Sequence, residues 1–205
     1  MILYKPFLKD TLLYTISKIV PGISGLASVV LFIRLIGVEE YGNYSFFLSQ
    51  CYLIVAIGFG WLNQSQLRYY NKDKKLDEYI PGQIRAFTYS SIISFIILCV
   101  LITTQNFSLK LLVISFISIL GIAGFNFLKI LYQAKLLPKK VVWLTLSQSL
   151  MGLIIPLGLL IIFKRDANTI LIGLGFSFLM IVSLYLVKEK RYEKLFINFT
   201  SNGKE

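Results

Sequence analysis

The chain has 205 residues, 56% of them hydrophobic, and a mean hydropathy of +0.73. That is too apolar for an ordinary soluble domain and points to a multi-pass membrane protein. The formal charge of +11 sits in short segments between apolar runs, so the positive-inside rule accounts for it better than nucleic-acid binding does.

Six runs reach the roughly 20 residues that a membrane-spanning helix needs: about 10–36, 43–67, 84–104, 109–133, 141–163 and 168–187. The expected fold is therefore all-α and integral to the membrane. A six-helix domain covers residues 1–187 and a polar cytoplasmic tail covers 188–205. The tail reads either as a true end or as the start of a linker to a second lobe. The opening apolar run is too long for a signal-peptide core, and no small-residue cleavage site follows it.

The first run is the least regular. It holds Lys18 early, then Pro21-Gly22, then Gly25, and it closes on Arg34 and a turn-like segment from Gly37 to Gly42. At 1.5 Å per residue it would reach about 40 Å, against a core of roughly 30 Å, so it must tilt or bend. Proline removes a backbone hydrogen bond and kinks a helix. Pro21, Gly22 and Gly25 are therefore hinge candidates. A charge at bilayer depth is usually tolerated only where it faces a cavity or other helices. Lys18 either lines such a cavity or snorkels to the surface. Arg34 either binds there or anchors at the interface, bonding Glu39 or Glu40.

The second run ends with Asn63 and Gln64, which read as ligand amides or as an ordinary solvated helix end. The segment 68–85 is the longest internal loop, with Pro81-Gly82 read as a turn before the third helix. It is a solvated, topology-setting loop or a site for anionic lipid headgroups. The fourth run carries a polar stripe of Ser115, Ser118, Asn126, Lys129 and Gln133, spaced by threes and fours around Ile122 on one face. Lys129 either snorkels or joins a cavity. The fifth run repeats the theme with Thr145, Gln148, Ser149, Gly152 and Pro156, the last a second candidate kink. The third and sixth runs are nearly plain, and their serines and glycines call for no function.

Fifteen of the 21 lysines and arginines fall on one side of this arrangement and four on the other, with Lys18 and Lys129 inside spans. That bias places both termini in the cytoplasm. Tyr41, Tyr44, Tyr69, Tyr70, Trp143 and Tyr192 fall near span ends, as interfacial aromatics do.

Catalysis is disfavoured. The spans hold no aspartate or glutamate in their interiors, and the chain has no histidine, so no usual triad, paired-carboxylate site or metal cluster can be assembled. Cys51 and Cys99, both in apolar runs, offer no disulfide framework. There is no P-loop, so this chain does not itself use ATP. No cofactor is expected. The interior offers cations and amides instead: Lys18, Arg34, Asn63, Gln64, Asn126 and Lys129. That set suits an anionic ligand through charge-assisted hydrogen bonds, arginine by its planar fork and lysine as a point charge.

The stretch Arg34-Leu35-Ile36-Gly37-Val38-Glu39-Glu40-Tyr41-Gly42-Asn43-Tyr44-Ser45 resembles the first periplasmic turn of bacterial polysaccharide (O-antigen type) flippases. These belong to the multidrug/oligosaccharidyl-lipid/polysaccharide exporter superfamily, with a MATE-like fold. Gly58-Phe59-Gly60-Trp61 and Arg68-Tyr69-Tyr70 continue the pattern, although Gly58 stands where family members often carry an acid. The specific resemblance covers roughly the first 70 residues. It implies the amino-terminal lobe of a bacterial inner-membrane flippase. Such a protein moves an undecaprenyl-diphosphate-linked oligosaccharide outward by alternating access, for O-antigen, lipopolysaccharide or other surface polysaccharide. Family members use two six-helix lobes, so this chain would be a half-length or truncated form that pairs with a second lobe or with itself among membrane lipids. Many relatives use an ion gradient, and no buried carboxylate here marks a coupling site. Two other readings stay open: a non-transporting membrane partner of a glycan assembly machine, and a small-molecule exporter of the same superfamily.

Overall fold

The computed structural model describes residues 4–70, 76–104 and 108–188, with side chains left out at 4–14, 16, 17, 76–80 and 188. The described residues form six α-helices: α1 (Tyr4–Ile36), α2 (Val38–Tyr69), α3 (Leu76–Thr104), α4 (Leu109–Ala134), α5 (Pro138–Ile162) and α6 (Ala167–Lys188). Each is long and apolar enough to cross a membrane. The chain is a multi-pass membrane protein built only of helices among its described residues. Helices are what such a sequence must form in lipid, because every backbone N–H and C=O has to be satisfied within the segment.

The corners are tighter than the sequence suggests. The turn-like segment expected from Gly37 to Gly42 is one residue, Gly37, because Glu39 and Glu40 already lie in the first turn of α2. Gly37 N–H donates to Ile33 O at 2.9 Å, and Gly37 O accepts from Tyr41 N–H at 3.1 Å. One residue thus closes α1 and opens α2, at φ 87° and ψ 166°, a region essentially restricted to glycine. The loop expected over 68–85 also shrinks. The second helix runs through Tyr69 and the third starts at Leu76, so Pro81-Gly82 is not a turn but lies inside α3. As the sixth residue of α3, Pro81 lies past the free N–H groups of the first turn and leaves the Asp77 carbonyl without its intrahelical donor. Residues 71–75 of that loop, and 189–205 of the tail with Tyr192, lie outside the described residues. Between α4 and α5, Leu136 takes a left-handed conformation, φ 54°. Pro138 then starts α5 at a position that suits proline.

The helix α4 is the axis of the bundle. Its Ile119, Ile122, Leu128, Leu131 and Tyr132 are almost completely buried. On one side stands α6, running parallel: Ser118 donates to Leu171 O, and further along Tyr132 and Tyr185 lie with ring centroids 6.3 Å apart. On another stands α2, where Cys51 Sγ donates to Ser115 O at 3.8 Å. The helix α5 packs antiparallel on α6, Gln148 beside Ser177 and Pro156 beside Gly173. Against α5 lies α1, tied by a hydrogen bond from Ser24 Oγ to Ser149 O at 2.7 Å. The outlying α3 packs mainly on α2, with Phe59 and Phe87 rings 4.9 Å apart.

Two apolar clusters result. The larger gathers Phe59, Ile119, Ile122, Leu128, Tyr132 and Phe178 around α4. The smaller gathers Phe32, Tyr44, Leu111, Leu160 and Ile170 at the end where α1 meets α2. Tyr44, expected as an interfacial aromatic, is instead a core residue, 5% exposed and edge-on to Phe32. Trp143 and Tyr69 do face outward.

The sixth helix is not plain either. A β-carbon on Gly175 would come within 2.8 Å of Ser118 Oγ, and one on Gly121 within 2.9 Å of Gly175 O. Small residues let these backbones approach, which is how helices associate in lipid where no hydrophobic drive exists between them.

Candidate functional site

Alternation of the six helices sorts the charges to two ends. Arg68, Arg85, Lys135, Lys139 and Lys140 share one, here termed the basic end; Arg34, Lys110, Lys164 and Arg165 share the other. At the basic end Lys140 Nζ lies 5.1 Å from the centroid of the Tyr132 ring. The far end is held by a different device. Glu40, in the first turn of α2, accepts from Ala167 N–H at 2.9 Å, the first residue of α6. A carboxylate there meets the positive end of the α6 dipole. Asp166 caps the same helix, accepting from Thr169 N–H at 2.9 Å and from its hydroxyl at 2.7 Å. Glu40, one of the two carboxylates offered from the sequence as an alternative partner for Arg34, thus ties α2 to the start of α6.

Of the six cationic and amide residues singled out from the sequence, the fold sets two cations in one half of the bundle. Lys18 on α1 and Lys129 on α4 both lie in the half nearer the basic end. Lys18 is exposed and Lys129 is half-buried. Asn126 lies one turn from Lys129 on the same face of α4, also half-buried. Two cations and an amide thus lie in the half of the bundle nearer the basic end.

The others fall elsewhere. Arg34 is exposed and lies about 24 Å from Lys18 along α1, so it does not join this set. Gln64 is exposed, and Asn63, its neighbour, is half-buried with its Oδ1 enclosed. Adjacent helical residues diverge by about 100°, so the two amides cannot serve one ligand from one face. The polar stripe on α4 also divides. Ser115 and Ser118 are buried in packing, whereas Lys129 is half-buried and Gln133 is exposed.

The hinge candidates separate in the same way. Both α1 and α5 run unbroken through Pro21 and Pro156. Gly22 and Gly25 are exposed, with nothing within 4 Å of a β-carbon placed on either, so α1 has room around them. Pro156 is buried against Gly173 and serves as a packing surface between α5 and α6.

Sequence reading missed a second polar group. Gln66 on α2 is fully buried, as are Ser90 and Ser94 on α3. The signal for Gln66 was present: it continues the inward series Val55, Phe59, Leu62 at spacings of three and four. No family model matches this chain, and no curated protein or solved structure matches it significantly.

Proposed function

We propose that this chain is a flippase-type transporter of a lipid-linked oligosaccharide, with no enzymatic activity of its own. The observation that carries the reading is the placement of Lys18 and Lys129, on two separate helices, in the half of the bundle nearer the basic end. Two cations in one half of a membrane-spanning bundle raise the local positive potential, and a bound anion offsets it. A diphosphate offers such an anion, and Asn126 can bind hydroxyls of an attached sugar. The resemblance of residues 34–45 to the first turn of polysaccharide flippases supports the same class of cargo.

In this reading the protein sits in a bacterial inner membrane with its basic end in the cytoplasm, by the positive-inside rule. The lysine pair then meets an undecaprenyl-diphosphate head at the side where O-antigen-type glycans are made. One six-helix domain supplies one wall, and the second wall comes from another lobe or a second copy. The exposed α1 side chains Ile23, Leu26 and Val30 provide the apolar face for it.

Complementation tests this. The 205 residues are expressed in a bacterium lacking its matching flippase, and surface polysaccharide is assayed. Restored polysaccharide, either alone or on co-expression with a second six-helix lobe, is the expected result. No rescue in either arrangement, despite stable membrane insertion, overturns the reading in favour of a non-transporting partner of a glycan assembly machine.

A further inference from the structure

The seam between α2 and α3 is polar where a membrane interior should be apolar. Among the described residues, seven enclosed side-chain atoms lack a hydrogen-bond partner: Asn63 Oδ1, Gln66 Oε1 and Nε2, Gln83 Oε1, Ser90 Oγ, Ser94 Oγ and Gln148 Oε1. All but the last belong to α2 or α3. On α3, Gln83, Phe87, Ser90 and Ser94 recur at threes and fours and so share one face. That face meets α2. The amide of Gln83 donates to Ser65 Oγ at 3.4 Å, and a β-carbon on Gly58 would stand 2.3 Å from Ser94 Oγ. Gln66 lies two turns along α2 from Phe59, whose ring is 4.9 Å from that of Phe87 on α3, and it is 0% exposed, as are Ser90 and Ser94.

Leaving one such group unpaired in a low-dielectric interior costs about 1–3 kcal/mol. The cost recurs for each such atom along the seam, so they are expected to be satisfied by something small. The chemistry of the group decides what. Gln66 presents an unpaired donor and an unpaired acceptor, and serine hydroxyls can be either. A cation would satisfy the oxygens and leave Gln66 Nε2 unpaired. Water, both donor and acceptor, matches the hydrogen-bonding chemistry of all of them.

We propose that the α2–α3 seam is an internal water site. Water enters at the basic end, beside Arg68 and Arg85, bridges the Gln66 and Gln83 amides and reaches Ser90 and Ser94 level with Gly58. From Arg68 to Gly58 the path is about 15 Å by helical rise, half of an apolar core of roughly 30 Å. Beyond it the α3 face turns apolar at Leu98 and Ile102, both buried, and the water ends there.

Hydroxyl-radical labelling by water radiolysis, on the whole chain in lipid nanodiscs, tests this without any variant. Bound water activates neighbouring side chains whatever their exposure. Leu62, between Gly58 and Gln66 on the inward face, is 1% exposed, and Leu98 is 3% exposed. The comparison is therefore like for like. Leu62 should oxidise at least threefold faster than Leu98, and Gln66→Leu should bring the two rates together. Equal rates in the native chain overturn the proposal and leave the seam dry. The result is independent of transport, so it stands or falls apart from the flippase reading.

Discussion

Gly173 of α6 lies against Pro156 of α5 so closely that a β-carbon on the glycine would stand 2.7 Å from the Pro156 Cα. The contact is backbone to backbone, and neither partner can turn aside. Gly173→Ala should therefore destabilise the bundle by about 1–3 kcal/mol through overpacking. Gly121→Ala, facing the Gly175 carbonyl and the Phe178 Cβ at 2.9 Å, should behave alike. Gly22→Ala, with open space around it, should leave the thermal midpoint unchanged or raise it. Thermal unfolding in one detergent checks all three, and equal midpoints would mean that the α4–α6 and α5–α6 seams are looser than described.

The corner between α1 and α2 rests on one residue. Gly37→Ala must hold a side chain at φ 87° and ψ 166°, at a cost of about 1–3 kcal/mol. Space is not the obstacle, since nothing lies within 4 Å of the added carbon. Gly37→Ala should accordingly lower stability as much as Gly37→Ser does, and a neutral result for either would show that the corner can be rebuilt.

Glu40 and Asp166 act on one helix end from two sides. Glu40→Ala removes a carboxylate from the α6 N-terminus and unties it from α2, costing about 1–2 kcal/mol. Asp166→Ala removes the cap and should cost about 1 kcal/mol. Both bear on the first turn of α6, so the double variant should cost less than the two single effects combined if each frees the same turn. Hydrogen exchange at Ala167 to Ile170 reports this directly.

Lys18 and Lys129 should matter together. Either lysine changed to alanine should cut glycan export about tenfold, the effect of losing one charge-assisted contact. Lys18→Arg and Lys129→Arg should retain most of it. Export is measured as surface polysaccharide per unit of inserted protein. Normal export with both lysines removed would take the site elsewhere, while Arg34→Ala, distant along α1, should leave this step unaffected.

Pro21→Ala restores a backbone hydrogen bond within α1 and should stiffen it. Insertion and stability should hold or improve, and the transport rate should fall. An unchanged rate would remove Pro21 from any hinge.

The linear chain determined the number of spans, the all-helical class and the sorting of charge to two ends. Each is a local property: about 20 apolar residues force a helix in lipid, and lysine and arginine cluster in what lies between. It also marked Lys18 and Lys129, because an isolated charge in an apolar run is conspicuous wherever it sits. What it left undetermined was which faces turn inward. In a soluble bundle the apolar stripe identifies the core, but lipid is as apolar as a protein interior, so helices such as α5 and α6 carry little asymmetry to read. Tertiary packing alone moved Tyr44 from the interface to the core and made Gly173 and Gly175 close contacts. It also buried Ser90 and turned Ser94 against Gly58, both serines unremarked on a plain helix.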